Sequence, residues 1–363
     1  MDQISLTVNG KSYEGWKAIQ VSRSMDQIAG AFGFQASDRY PGNFEKWDIP
    51  MGSECQVVVG GKTLITGFVD DIGIYYDEAE HTFEVKGRDK TADLVDCCYD
   101  SAKNQWSGAS IQTIITDLCN NVDVPIVVDS TVADVIANTI VTFKINEGDS
   151  IFESISKLLK TKALLPITHG DGKLTITRAG TELVNDSLES GKNIKAGSFK
   201  SSNMERYSVY IVKSQNSGLD EWDEKTINQP VARFNDYVIA RTRPLVILSS
   251  EKSTTAQCRE RAEWEARYRA GKSRTLQYKV QGWLQSNGDL WPLNKCVLVR
   301  DTFLNVSDTY LIASVLHTLD DIVGTITEFE LVPPDAYKVL EEAIKVKKSD
   351  LADEEDEWWL EEE

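Results

Sequence analysis

Residues 4–86 alternate apolar and polar side chains in short runs broken by turn signals, a rhythm that restricts the start of the chain to antiparallel β structure. Residues 4–8 alternate and lead into Asn9-Gly10, a hairpin signal. Residues 16–22 and 31–37 continue the pattern. Residues 38–50 read as a loop, punctuated by Pro41-Gly42 and Pro50. Residues 56–59, a Gly60-Gly61 turn and residues 63–76 follow. Over 81–86, Phe83 and Val85 share one face while Thr82, Glu84 and Lys86 share the other. Short strands at this spacing predict a barrel or sandwich.

The character changes after residue 90. Ile111, Ile114, Ile115 and Leu118 line one helical face behind Ser110, and Ile151, Ile155, Leu158 and Leu159 do the same behind the N-cap candidate Ser150. Residues 126–128 read as a short strand, and 163–168 and 173–178 as a hairpin around His169-Gly170-Asp171-Gly172. Strand patterning returns over 198–213, 231–241, 275–283, 296–301, 310–317 and 324–331. It is interrupted by a polar loop over 214–229 and by a helix over 254–269, whose Arg and Glu residues suit i,i+4 ion pairs on a solvated face. The chain thus divides into a first β-barrel domain (1–90), an α+β middle domain (91–194), a second β-barrel domain with an inserted helix (195–335), and a C-terminal helix with an acidic disordered tail (336–363). The two β blocks resemble each other weakly. Residues 63–85 align without gaps on 309–331 with four identities, as a duplicated barrel would.

The net charge of −18 opposes a nucleic-acid binder, which needs basic stripes. Nine acids lie in residues 350–363, so the remaining chain still carries −9. That tail reads as disordered, and Trp358-Trp359-Leu360 inside it is a candidate docking peptide. No apolar run reaches membrane-helix length, and the N-terminus has no signal segment. The six cysteines include no CxxC pair and sit mostly among apolar neighbours, which suits buried free thiols. With three scattered histidines and no cysteine–histidine cluster, no metal or cofactor is expected. No phosphate loop, HExxH or GxSxG occurs. Asp70-Asp71 and Asp320-Asp321 are adjacent pairs, and adjacent acids on a strand point to opposite faces, so neither makes a glycosidase dyad. No catalytic residue is assigned.

The stretch joining the first two blocks, Gly87-Arg88-Asp89-Lys90-Thr91-Ala92-Asp93-Leu94-Val95-Asp96-Cys97, carries a structural motif. Gly87 is expected to break the strand, Asp89 or Thr91 to cap a short helix, and Leu94 and Val95 to pack inward. Arg88 is placed to pair with Asp93 or Asp96.

This run resembles the signature of the Mu-like phage tail protein P family, the baseplate hub of contractile tails. So do VNGKSYEGWKAIQVSRSMDQIAGAFGFQASDR near the start, LITGFVDDI, and AEWEARYRAGKSRTLQYKVQGW. The resemblance implies a fold similar to the T-even phage hub: a ring-shaped homotrimer with two tube-like β-barrels per subunit. Such a ring of six similar units would adapt a hexameric tail tube to a trimeric central spike and leave a channel for DNA. Partners would be the tube protein, the spike protein and other baseplate proteins, with no sequence-specific nucleic-acid binding and no membrane insertion. The protein would reside in the virion tail baseplate after assembly in the host cytoplasm. It would not be an enzyme. The alternatives are a tail-associated peptidoglycan-degrading enzyme and a carbohydrate-binding module.

Overall fold

The computed structural model describes residues 3–37, 48–78, 81–162, 164–214, 230–249 and 254–337. It is β-rich with few helices, as expected. β1 (Ile4–Val8) turns through Asn9 and Gly10, at φ 49° and 79°, into β2 (Lys11–Tyr13). Both turn residues tolerate the left-handed region that a type I′ turn demands. β3 (Ala18–Ser24), β4 (Ala31–Ser37), β5 (Glu54–Val59), β6 (Lys62–Tyr76) and β7 (His81–Asp89) complete the first β unit. Their inward residues, including Val21, Phe34, Val57, Ile65 and Val85, form one core. Of the predicted 38–50 loop, residues 38–47 lie outside the described residues.

The middle block contains α1 (Ala92–Asp96), β8 (Gln105–Ser110), α2 (Ile111–Asn120), β9 (Ile126–Val128), α3 (Ala133–Ile136), β10 (Thr139–Lys144), α4 (Ile151–Thr161), β11 (Leu165–Ile167) and β12 (Leu174–Thr177). Ser110 Oγ accepts the Thr113 amide at 3.1 Å, and Ser150 and Glu153 cap α4 reciprocally. The apolar faces of α2 and α4 then share a core with Trp106, Phe143 and Ile176.

The last block runs through β13 (Leu188–Glu189), β14 (Ile194–Ser201), β15 (Val209–Lys213), β16 (Val231–Asn235), β17 (Pro244–Leu248), α5 (Thr255–Lys272), β18 (Arg274–Gln281), β19 (Cys296–Asp301), β20 (Val306–Asp320) and β21 (Gly324–Val332). One sequence reading needs correction here: the 198–213 stretch is not one strand but parts of two, β14 and β15. β15–β17 lie outside the large sheet. They form a separate sheet, ordered β16-β15-β17, with β17 parallel to β15. α5 seals it: Cys258, Ala262 and Ala266 pack on Tyr210, Val212 and Ala232. The expected i,i+4 ion pairs form, but not only on a solvated face: Arg259 pairs with Glu263 toward solvent, whereas Glu265, bonded to Arg261 and Arg269, is buried. At the other end, Pro334–Ala336 form a 3-10 turn, and Tyr337 donates to Asp26 Oδ1 at 2.9 Å. The predicted C-terminal helix and tail beyond Tyr337, with Trp358, Trp359 and Leu360, lie outside the described residues.

One sheet of 13 strands unites the first and last blocks, in the order β14-β18-β21-β20-β3-β4-β7-β6-β5-β1-β2, with β19 on β20 and β13 on β19. Within it, the chain segments β3, β4, β5, β6, β7 pair as β5-β6-β7-β4-β3, all antiparallel. The segments β14, β18, β19, β20, β21 pair as β19-β20-β21-β18-β14, also antiparallel. Connectivity and neighbour order are the same in both units. β15–α5 is an insert between the first and second strands of the later one. A β-bulge marks the long hairpin of each, between Val69 and Asp71 and between Ile312 and Ser314. The bulges equate Val69 with Ile312 and Gly87 with Leu331, so the gapless alignment that placed Val69 on Val315 is three residues out of register on the first strand of the hairpin and two on the second. The hairpins differ in length by one residue, which an ungapped comparison cannot absorb.

Candidate functional site

The corner after the first unit is built on two glycines. β7 continues through Gly87 to Asp89, so Gly87 does not break the strand as expected. A Cβ on Gly87 would stand 2.1 Å from the Phe68 carbonyl oxygen and 2.4 Å from the Phe32 ring. One on Gly67, which faces Asp89 across the ladder, would stand 1.8 Å from the Arg88 oxygen. The absence of side chains lets β6 and β7 close tightly beside the bulge.

Arg88 then reaches two carboxylates. Its Nε donates to Asp70 Oδ2 at 2.6 Å and its Nη2 to Asp96 Oδ2 at 2.7 Å. Of the two expected partners, Asp96 is the one engaged; Asp70, inside the bulge, is the partner that spacing along the chain did not suggest. The Arg88 hydrogen bond holds the Asp96 carboxyl below its usual range, and burial pushes Asp93 up. Thr91 occupies the N-cap without a side-chain cap bond. Asp89 turns the chain instead: its Oδ1 accepts the Thr91 amide at 3.0 Å and the Thr91 hydroxyl at 2.9 Å. Leu94 is buried, but Val95 is exposed, contrary to expectation, because a five-residue helix buries only one narrow face.

Behind the corner runs the seam between the two β units, where β20 pairs antiparallel with β3 from Ser314↔Ser24 to Leu319↔Ile19. Trp283 plugs the first unit's core and donates its indole N–H to the Thr318 carbonyl at 2.9 Å. His317 lies well inside β20, not at its end as the sequence suggested, and is buried against Trp283 with Nδ1 2.9 Å from Thr327 Oγ1. Burial, reinforced by the Arg23 charge, lowers its pKa to about 3. Arg23 is buried too, and desolvation lowers it to about 10 against the attraction of Asp89. Asp89 is raised by burial to about 6. Sequence alternation held a signal for Arg23, since Ile19, Val21 and Arg23 share the inward face of β3.

The titratable side chains here are committed to packing and to one another. His81 is the exposed first residue of β7, His169 lies in the 168–173 loop and His317 in the seam, so the three imidazoles are not brought together. Among the described residues, no group of three or more His, Cys, Asp or Glu is placed to hold a metal ion. No helix among them is long and apolar enough to cross a membrane. Of the six cysteines, Cys55, Cys119, Cys258 and Cys296 are buried.

Among the described residues, the chain thus presents two β units of equal strand order fused edge to edge, joined to the middle block by a tight glycine corner. The comparisons with known proteins say what such a chain is similar to. Residues 3–89 match the N-terminal domain of Mu phage baseplate assembly protein GpP-like proteins, residues 91–178 the second domain of gp44-like baseplate hub proteins, and residues 254–340 the fourth domain of Mu phage baseplate assembly protein GpP. The baseplate hub protein gp44 of Escherichia phage Mu is 26% identical over 93% of this chain and 89% of its own length. The 43 kDa tail protein of prophage MuSo2 from Shewanella oneidensis is 33% identical, with TM-score 0.83 over 93% of this chain and 100% of its own. A tail protein from Neisseria meningitidis shares the fold, with 19% identity, TM-score 0.75, and 92% and 99% coverage. The chain belongs to the family of Mu-like phage baseplate hub proteins.

Proposed function

We propose that the protein is the structural hub of a contractile phage tail baseplate. It works as a homotrimer that joins the hexameric tail tube to the trimeric central spike and leaves a channel for DNA. Family membership supports the hub role. The observation that carries the adaptor role is the repeated strand order within one chain. If each unit closes as a barrel, three copies present six similar barrels above and three whole subunits below. One ring then meets both symmetries through cyclic heterologous contacts. The proposed division is a first barrel over 1–90, a middle domain over 91–194, a second barrel over 195–335 and a tail over 336–363. An acidic body repels DNA phosphate, which suits a conduit. The protein would be assembled in the host cytoplasm and reside in the virion baseplate beside the spike, tube and other baseplate proteins. Within this reading, residues 87–96 are the corner that holds the middle domain to the first barrel, and Trp358, Trp359 and Leu360 dock a partner.

Light scattering of the full-length protein tests the assembly. The expected mass is three times the 40.6 kDa chain, and a single-chain or two-chain mass at every concentration overturns the trimer. The hydrolase alternative gains nothing from the comparisons, which are with structural baseplate proteins. Clearing of a purified cell-wall suspension by the protein would revive it.

A further inference from the structure

The small sheet of the insert, β16-β15-β17, has one covered face and one open one. α5 packs on Tyr210, Val212 and Ala232. Side chains alternate along each strand, so the residues between these point the other way. Register puts Val231, Lys213 and Leu248 in one row of that far face, and Arg233, Ile211 and Val246 in the next. Val246 and Leu248 are 51% and 76% exposed, so the face is apolar and open. Its charges are Lys213 and Arg233; no carboxylate stands in either row, and neither cation forms a salt bridge among the described residues.

We propose that the Trp358-Trp359-Leu360 segment of the same chain docks on this face, which rests on the reading of that segment as a docking peptide and names its seat in the free protein. Two observations select this occupant. The first is chemical complementarity. An apolar face that carries only positive charge fits an apolar segment bracketed by negative charge. Asp356 and Glu357 precede the tryptophans and Glu361 follows the leucine. The two indoles bring the largest apolar area any side chain can offer, and the flanking carboxylates meet Lys213 and Arg233 at the edge of the contact.

The second is where the described chain ends. The Tyr337 ring packs edge-on against Tyr268 and under the Lys272 ammonium, on the last turns of α5. That helix seals the other face of the same sheet. Trp358 lies 21 residues beyond Tyr337, a reach of up to about 70 Å. The path back along the 18 residues of α5 is about 27 Å, and the sheet adds about 10 Å. The tether is long enough, and it keeps the segment near the face at a roughly millimolar effective concentration. A contact too weak to join two separate molecules then persists within one. Bare apolar faces invite unwanted association, and the segment covers this one until a partner engages the tail.

Full-length protein with Cys98→Ser, which removes the exposed thiol, serves as parent. Leu248→Cys is added, and maleimide labelling of the introduced thiol is timed by peptide mass mapping, with and without residues 350–363. Val246→Cys is a second reporter on the face, and Ile322→Cys, at a hairpin tip 95% exposed, is the control. Labelling at 248 is expected to be at least tenfold slower in the full chain. Lys213→Glu with Arg233→Glu should restore the truncated rate, and a synthetic peptide of residues 350–363 should slow labelling of the truncated protein again. Equal rates with and without the tail at both face positions overturn the docking, as does a change of the same size at Ile322→Cys. Leu248→Cys with Leu360→Cys, bridged by a short bismaleimide, shows whose tail is seated. An internal link at single-chain mass supports the proposal; a ladder of linked chains gives the seat to a neighbouring copy and overturns it. Recovery of spike or tube protein is a separate readout. A tail that binds those partners but leaves labelling unchanged sinks the seat alone, and slowed labelling with unchanged recovery sinks the partner role alone.

Discussion

Arg88 is bound to Asp70 across the β6·β7 ladder, Nε to Oδ2 at 2.6 Å, although eighteen residues of chain and a hairpin separate them. The bulge between Val69 and Asp71 turns the Asp70 carboxylate toward the guanidinium. Asp96 completes the pair from the far side of the corner. Arg88 and Asp70 are each more than a third exposed, so solvent screens much of their attraction. Arg88→Ala is therefore expected to cost only about 1 kcal/mol. A double-mutant cycle with Asp70→Ala, read by urea denaturation, should return a positive coupling below that value; zero coupling would show the contact to be idle.

Gly87→Ala is expected to be far more damaging than Arg88→Ala. The added methyl has no room between the Phe68 carbonyl and the Phe32 ring, and the carbonyl belongs to a paired strand that cannot retreat alone. A loss of roughly 2–4 kcal/mol, in the upper range for overpacking, is expected. An unchanged denaturation midpoint would mean that the corner yields.

His317 and Asp89 push the pH dependence of stability in opposite directions. His317 is held neutral, with a folded pKa of about 3 against 6.5 unfolded. The unfolded chain takes up that proton first, so this contribution is present above pH 6.5 and declines as pH falls toward 3. Asp89, raised to about 6, is costly when ionised, so its contribution declines as pH rises from about 4 to 6. His317→Gln separates the two. The stability gap between parent and variant should shrink by about 2 kcal/mol from pH 7 to pH 5, at 1.36 kcal/mol per pH step below the unfolded pKa. A gap independent of pH would show that His317 titrates normally in the fold.

Deleting residues 350–363 removes nine acids and the Trp358-Trp359-Leu360 segment. If that segment docks a partner, recovery of purified spike or tube protein on immobilised hub should fall, while the hub's mass and melting temperature hold. Equal recovery with and without the tail would leave the tryptophans without that role.

Local pattern in the sequence was enough to reveal the strands of the first unit, the capped helices after Ser110 and Ser150, and the β-rich class. These depend on periodicity and on side chains within a few residues of one another. The run 87–97 and three other stretches carried the family resemblance. Tertiary structure alone decided the rest. The sequence contained four scattered identities between the β blocks; the ladders reveal one strand order and a register shifted by three residues on one strand of the hairpin and two on the other. It placed Arg88 beside Asp93 and Asp96, while the fold brought Asp70 to it through a bulge. It read strands over 198–213 and 231–241 without assigning their partners, and the fold gathers β15 and β16 with β17 into a sheet of their own under α5. Strand pairing is a contract between distant segments, made by backbone hydrogen bonds that any side chain can share. Periodicity therefore says that a strand exists and which face turns inward, and only the assembled sheet says which neighbour it takes and which edge is left open.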